Sequence, residues 1–305
     1  MKRKSVRATL LCLAVVVFLA VAAAPAGAVI GGQQDTGNKY SNVGMNLEFG
    51  YFDPGLWGFA GSCTLVRNDR GNVVVMTAAH AVWGVSPEDI AANWRVTFDP
   101  LTDYDWFLTI PGTLPTDLET YRVTDAVMHP GFDVDTPYTG WGGSKPNVIG
   151  PGREDVALMW LDRRVVLPGT RKLVTPAPIV GLGELDKLDL KSETFMVVGY
   201  GISDFLAGNQ ASFTQAGNGA GTWSGRNYRE ASVVSEDEAF DDRFLKLTSS
   251  VSSFDSGGAV FHGGAIVGLP ALGSPRYESP CYIYRLDTQL AQDFVNHWLG
   301  HGPPK

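Results

Sequence analysis

Three short stretches carry residue types that together can perform acyl transfer. Thr77-Ala78-Ala79-His80 follows directly on the apolar run Val73 to Met76. Glu154-Asp155-Val156-Ala157-Leu158 opens another such run, and Phe254-Asp255-Ser256-Gly257-Gly258 lies in a stretch rich in serine and glycine. Each alone is ordinary, since histidines after strands are more often structural and Asp, Ser and Gly are the common residues of turns. Together they offer a nucleophile, a base and an orienter. A serine hydroxyl attacks poorly until a neighbouring imidazole takes its proton, and that imidazole needs a carboxylate to fix its tautomer and stabilise its cationic form. The glycines beside Ser256 free the backbone to point N–H groups at one spot.

These residues need a scaffold to bring them together, and the chain reads as β. Val73 to Met76, Trp94 to Phe98, Tyr121 to Met128, Asp155 to Leu161, Phe195 to Val198, Phe244 to Leu247, Ala259 to Phe261, Ala265 to Val267 and Tyr282 to Leu286 are short apolar or alternating runs separated by Gly, Pro, Asn and Asp. Many short strands with frequent turn signals indicate an all-β sandwich or barrel. A Pro-containing stretch, Val165 to Pro178, divides the chain into two halves. Helical spacing appears only at the end, where Asp287 can cap a segment with a stripe of Leu286, Leu290, Phe294, Val295 and Trp298. Gly217-Asn218-Gly219-Ala220-Gly221 lacks the strand–glycine–helix context of a phosphate cradle and reads as a surface loop.

Composition narrows the function classes. With 44% apolar and 18% charged residues, the 305-residue chain can bury a large core and is not disordered. The first 28 residues hold Lys2, Arg3, Lys4 and Arg7, an apolar stretch from Ala8 to Ala24, and Ala26-Gly27-Ala28, which fits the small-x-small rule of signal cleavage. Their removal leaves 20 basic against 32 acidic residues, a formal charge of −12 where the whole chain has −8. Such an acidic chain disfavours nucleic acid and anionic lipid as partners. The expectation is a secreted, extracellular protein with no membrane association after signal cleavage. Two cysteines then remain, Cys63 and Cys281, which either bridge or serve as two buried apolar side chains. His297 and His301 are four apart and could share a metal, but they read as a polar tail, so neither a metal nor another cofactor is expected.

From Val29 to about Leu299 the chain resembles the trypsin/chymotrypsin-type serine endopeptidases. Thr77-Ala78-Ala79-His80, Asp155-Val156-Ala157-Leu158 and Asp255-Ser256-Gly257-Gly258 match the family's histidine, aspartate and serine motifs in order. Val127-Met128-His129-Pro130 and Gly199-Tyr200-Gly201 match two further landmarks, and the C-terminal helix fits as well. The resemblance implies two packed six-stranded antiparallel β-barrels, about residues 29–165 and 178–286, with a C-terminal α-helix at 287–299 and the site in the cleft between barrels. It implies His80 as base and then acid, Asp155 as orienter, and Ser256 as the residue acylated, with the N–H groups of Phe254 and Ser256 forming the oxyanion hole. His129 is read as structural. The substrate would be a protein or peptide and the enzyme a monomer.

The family's new N-terminal amine pairs with the aspartate before the catalytic serine. Here Val29-Ile30-Gly31-Gly32 follows Ala28 directly, so signal cleavage alone would release the amine of Val29 to pair with Asp255. The sixth residue before the nucleophile, Ser250, would line the floor of the specificity pocket, with Ala271 and Gly273 at its walls. No carboxylate at that floor implies an apolar or aromatic rather than a basic preference. Departures from the pattern are Phe254 where the family has glycine, Ala81 and Ser252 where it has cysteines, Ala271 where it has serine, and a longer segment between His129 and Asp155, with Tyr138 and Trp141. The Phe254 substitution makes a non-catalytic homologue, acting as a binding module, the alternative function.

Overall fold

Val73, Val74, Val75 and Met76 are all apolar because the strand they form is buried on both faces. In the computed structural model, which describes residues 29, 32–50, 57–100, 114, 118–132, 154–201, 204–205, 221–222, 225–235, 242–248, 251, 254–272 and 281–304, that strand lies between two cores. Val73 and Val75 point into one core, and Val74 and Met76 into the other. The same alternation sends Ala157, Met159 and Leu161 one way and Leu158 and Trp160 the other.

In chain order the strands are β1 (Gln33–Gln34), β2 (Val43–Phe49), β3 (Trp57–Asp69), β4 (Asn72–Thr77), β5 (Trp94–Thr97), β6 (Thr120–Met128), β7 (Ala157–Leu161), β8 (Phe195–Gly199), β9 (Asp204–Phe205), β10 (Gly221–Thr222), β11 (Asn227–Ala231), β12 (Val233–Ser235), β13 (Phe244–Leu247), β14 (Ala259–His262), β15 (Ala265–Leu272) and β16 (Cys281–Arg285). Helices are α1 (Ala79–Val82), α2 (Pro87–Asn93) and α3 (Gln289–His301). β2, β3, β4, β7, β6 and β5 close into an antiparallel barrel around the first core.

The second unit is a curled sheet ordered β1-β11-β8-β14-β15-β16-β13-β12, and β9 and β10 form a separate small pair. Its curl follows from one segment: β11 and β12 are separated only by Ser232 but lie toward opposite ends of the sheet. Ser232 fixes the bend by exchanging hydrogen bonds with Thr248, through its own N–H and carbonyl. Counted as one bent strand, residues 227–235 complete a six-stranded barrel, the two-barrel form expected. Gly263-Gly264, both at positive φ (57° and 86°), make the two-residue turn between β14 and β15.

The C-terminal helix differs in detail from its expected stripe. Thr288 rather than Asp287 caps it, accepting from the Ala291 N–H. Leu290 is 52% exposed, and the buried face is Ala291, Phe294 and Val295. Asp287 instead pairs with Arg285 at 2.9 Å and accepts from the Leu185 N–H. Among the described residues no helix is long and apolar enough to cross a membrane. The leader 1–28, Ser250, Ser252, Gly273 and the stretch with Tyr138 and Trp141 lie outside the described residues.

Candidate active site

Strand register brings the first two site residues together. β4 pairs antiparallel with β7, with Thr77 opposite Ala157. Two residues past Thr77 the chain turns into α1, which carries His80; two residues before Ala157 stands Asp155. Asp155 grips His80 at two points, accepting from the His80 backbone N–H at 2.9 Å and lying 2.7 Å from Nδ1. An ionised carboxylate only accepts, so the Nδ1 proton faces Asp155 and Nε2 is left as the basic nitrogen. The Asp155 side chain is 5% exposed and that of His80 17%, a geometry in which the carboxylate is sheltered and the imidazole edge is reachable.

Glu154, next in sequence to Asp155, is also buried but has partners of its own. Arg243 lies 2.7 Å from one oxygen, and the Tyr284 hydroxyl donates to the other. Burial, with the Glu154 charge beside it, pushes the Tyr284 phenol up. Glu154 is thus neutralised by Arg243, and His80 is left to Asp155. His129 sits nearby, buried, its Nδ1 accepting from the Gly131 N–H and its ring 5.0 Å from that of Phe294, a packing position.

The third stretch reaches the same place through its backbone. The Ser256 carbonyl accepts from the Ser62 N–H at 2.9 Å. Gly257, at φ +77°, presses so closely on the histidine segment that a Cβ there would stand 2.2 Å from Thr77 Oγ1 and 2.6 Å from the Ala78 nitrogen. Only glycine fits, and that contact seats Ser256 against the residues leading into His80. Ser256 is half-buried, and its hydroxyl makes no hydrogen bond among the described residues.

Phe254 has φ +75°, the left-handed region that favours glycine. Phe254 therefore holds a backbone conformation ordinarily taken by glycine, with its side chain buried in the large core. Asp255 has no exposed surface and accepts from the Gly201 N–H at 2.8 Å; a Cβ on Gly199 would lie 2.3 Å from its Oδ1. Gly199-Tyr200-Gly201 therefore wraps this carboxylate, and its approach leaves no room for a side chain at Gly199. Val29 is fully buried in the large core, and its carbonyl accepts from the Gly32 N–H.

Ala271 is buried on β15, whose Pro270 carbonyl accepts from the Gly257 N–H, so this strand runs beside the serine loop. The two cysteines do not bridge, which corrects the disulfide expectation: Cys63 is a free thiol packed in the first barrel, and Cys281 a free thiol in the core under the second sheet. Burial, with Asp255 near, pushes the Cys281 thiol up to about 12, and burial pushes Cys63 up as well. Sequence reasoning missed Ser62, Arg243 and Tyr284. The only signal was the second acid beside Asp155, which would need a partner if buried.

No protein-family model matches the sequence, and no curated protein matches it. Solved structures do share the fold. Human heparin binding protein superposes with a TM-score of 0.60 at 16% identity, covering 91% of this chain and 100% of that one. GrC gives a TM-score of 0.59 at 16% identity, covering 90% of this chain and 100% of its own. The chain has the trypsin-like fold.

Proposed function

We propose that this chain is a secreted serine endopeptidase that hydrolyses peptide bonds through an acyl-enzyme. The observation that carries the reading is the two-point grip of Asp155 on His80, with the Ser256 loop seated by Gly257 against the same segment. In this mechanism Nε2 of His80 takes the Ser256 proton as Oγ attacks the substrate carbonyl. Asp155 stabilises the imidazolium, which then protonates the departing amine. Water repeats the sequence in reverse to release the acid. The N–H groups of Phe254 and Ser256 receive the oxyanion, and the left-handed backbone at Phe254 supports that role.

The leader is removed after Ala28, and the freed amine of Val29 pairs with Asp255. The burial of Val29 supports this assignment, because a residue on a loose linker would be exposed. The primary pocket, lined by Ser250, Ala271 and Gly273, takes an apolar or aromatic side chain of a protein or peptide substrate, and the enzyme works as a monomer without cofactor.

The test is the intact mass of the exported protein before and after a fluorophosphonate. A chain beginning at Val29 that gains one adduct on Ser256, lost in Ser256→Ala, is the expected result. A folded protein that starts at Val29 and gains no adduct would overturn the enzyme reading in favour of a binding module.

A further inference from the structure

Ser62 lies in β3 with no exposed surface, and all of its polar atoms are engaged. Its hydroxyl accepts from the Tyr200 N–H at 3.0 Å and donates to the Phe254 carbonyl at 2.8 Å. Its N–H donates to the Ser256 carbonyl, and its own carbonyl accepts from the Thr77 hydroxyl at 2.8 Å and the Asn46 amide at 3.1 Å. Packing alone would be served by alanine, which has no hydroxyl to satisfy. The hydroxyl therefore has another task, and what it holds is the residue in the glycine-type conformation.

A non-glycine residue stays at positive φ only where its surroundings over-determine it. The side chain of Phe254 is anchored in the large core and its carbonyl on Ser62. With both fixed, φ decides where its N–H points. A return to the usual negative φ would turn that N–H away by more than a quarter of a turn about N–Cα.

We infer that Ser62 is a positioning residue for the oxyanion hole: its hydroxyl pins the Phe254 carbonyl and so keeps the Phe254 N–H aimed at the reacting oxygen. The inference rests on the acyl-enzyme reading above. It accounts for how a bulky side chain can stand at a position where the resembled family has glycine: the strain is held in place from the neighbouring barrel rather than relieved.

The test compares Ser62→Ala in two backgrounds, wild type and Phe254→Gly, reading kcat, KM and the rate of Ser256 labelling by a fluorophosphonate. A single oxyanion donor is worth about 10²–10³ in turnover. In wild type, Ser62→Ala is expected to lower kcat and the labelling rate by about 10-fold or more, with KM little changed and the pH profile keeping its midpoint. With glycine at 254 the conformation needs no holding, so the same change is expected to cost less than about 3-fold. An equal loss in both backgrounds would make Ser62 merely structural and overturn the inference, as would no loss in either. Wild-type protein that takes no label on Ser256 would sink the enzyme reading itself, a separate outcome. Should Ser62→Ala not fold, Ser62→Cys, a weaker donor of similar shape, is read in the same way. Failure of both to fold in either background would assign Ser62 to stability alone and overturn its role in the site.

Discussion

Arg226 and Asp35 form an ion pair at 2.9 Å in which neither side chain has more than 1% exposure. Asp35 also accepts from the Lys39 and Tyr40 N–H groups, while Arg226 reaches the Val43 carbonyl at 2.8 Å and the side chain of Asn38. One guanidinium from the residue just before β11 thus ties down the N-terminal segment and the start of the first barrel. Removing one member of a buried pair leaves the other uncompensated, at about 3–5 kcal/mol. Arg226→Met should lose that much in denaturant unfolding, and adding Asp35→Leu should recover a good part of it. A loss below about 1 kcal/mol for the single variant would mean that the backbone donors alone satisfy Asp35.

At position 254 glycine should be better tolerated than alanine, although alanine keeps more of the side chain. Either truncation removes a buried phenyl group, at about 3–5 kcal/mol. Alanine retains the cost of positive φ and glycine does not, so Phe254→Gly should be the more stable of the two by about 1 kcal/mol. Equal unfolding midpoints would show that the left-handed backbone is not retained once the phenyl group is gone.

The cysteines make a prediction that needs no variant. Both thiols are free, buried and shifted upward. Native protein should resist iodoacetamide, and protein unfolded without reductant should take up two labels on Cys63 and Cys281. No uptake on unfolding would mean that the two are bridged.

His129 carries a pH dependence whose sign is set by burial. Burial holds its pKa below the ordinary 6.5, although the nearby Glu154 charge acts in the opposite direction. The Gly131 N–H donates to Nδ1 and so favours the neutral ring. The unfolded chain takes up the proton more readily, so the stability tied to neutral His129 is complete above 6.5. It is lost as pH falls from there through the lower folded value. His129→Asn cannot titrate, so the stability gap between wild type and variant should shrink as pH falls from about 7.5 to about 5. A constant gap would show an unshifted histidine.

Much of the scaffold was legible in residue order. The nine apolar runs all coincide with strands, because alternation or full burial leaves a direct mark on sequence. Seven strands, β1, β2, β3, β9, β10, β11 and β12, lie outside these runs. β3 holds Gly58, Gly61, Ser62 and Thr64 among its apolar residues, and the Ser62 hydroxyl is satisfied by groups of the other half, the Phe254 carbonyl and the Tyr200 N–H. His80 and Asp155 could be paired by type and order, and the β4–β7 register supplies the contact. Leu290 was misassigned to the buried stripe because helical spacing fixes which residues share a face but not how wide the covered face is. The cysteines looked like a pair only by count; their separation into two cores is a property of the folded sheets. Ser62 left no trace at all, since its role exists only once Phe254 and Tyr200 are brought beside it from distant parts of the chain.

The two ends of the chain are exchanged between its halves. β1, near the start, adds to the second sheet through β11. α3, at the end, lays Trp298 against Trp160 and Phe294 against His129 of the first half, and Arg67 donates to the Leu299 carbonyl. Each half is therefore clasped by a segment that belongs, by sequence, to the other, like a belt whose two ends buckle on opposite sides. A chain cut between the barrels would leave each piece holding the other's fastening and missing its own. Loosening either end should therefore weaken both halves together.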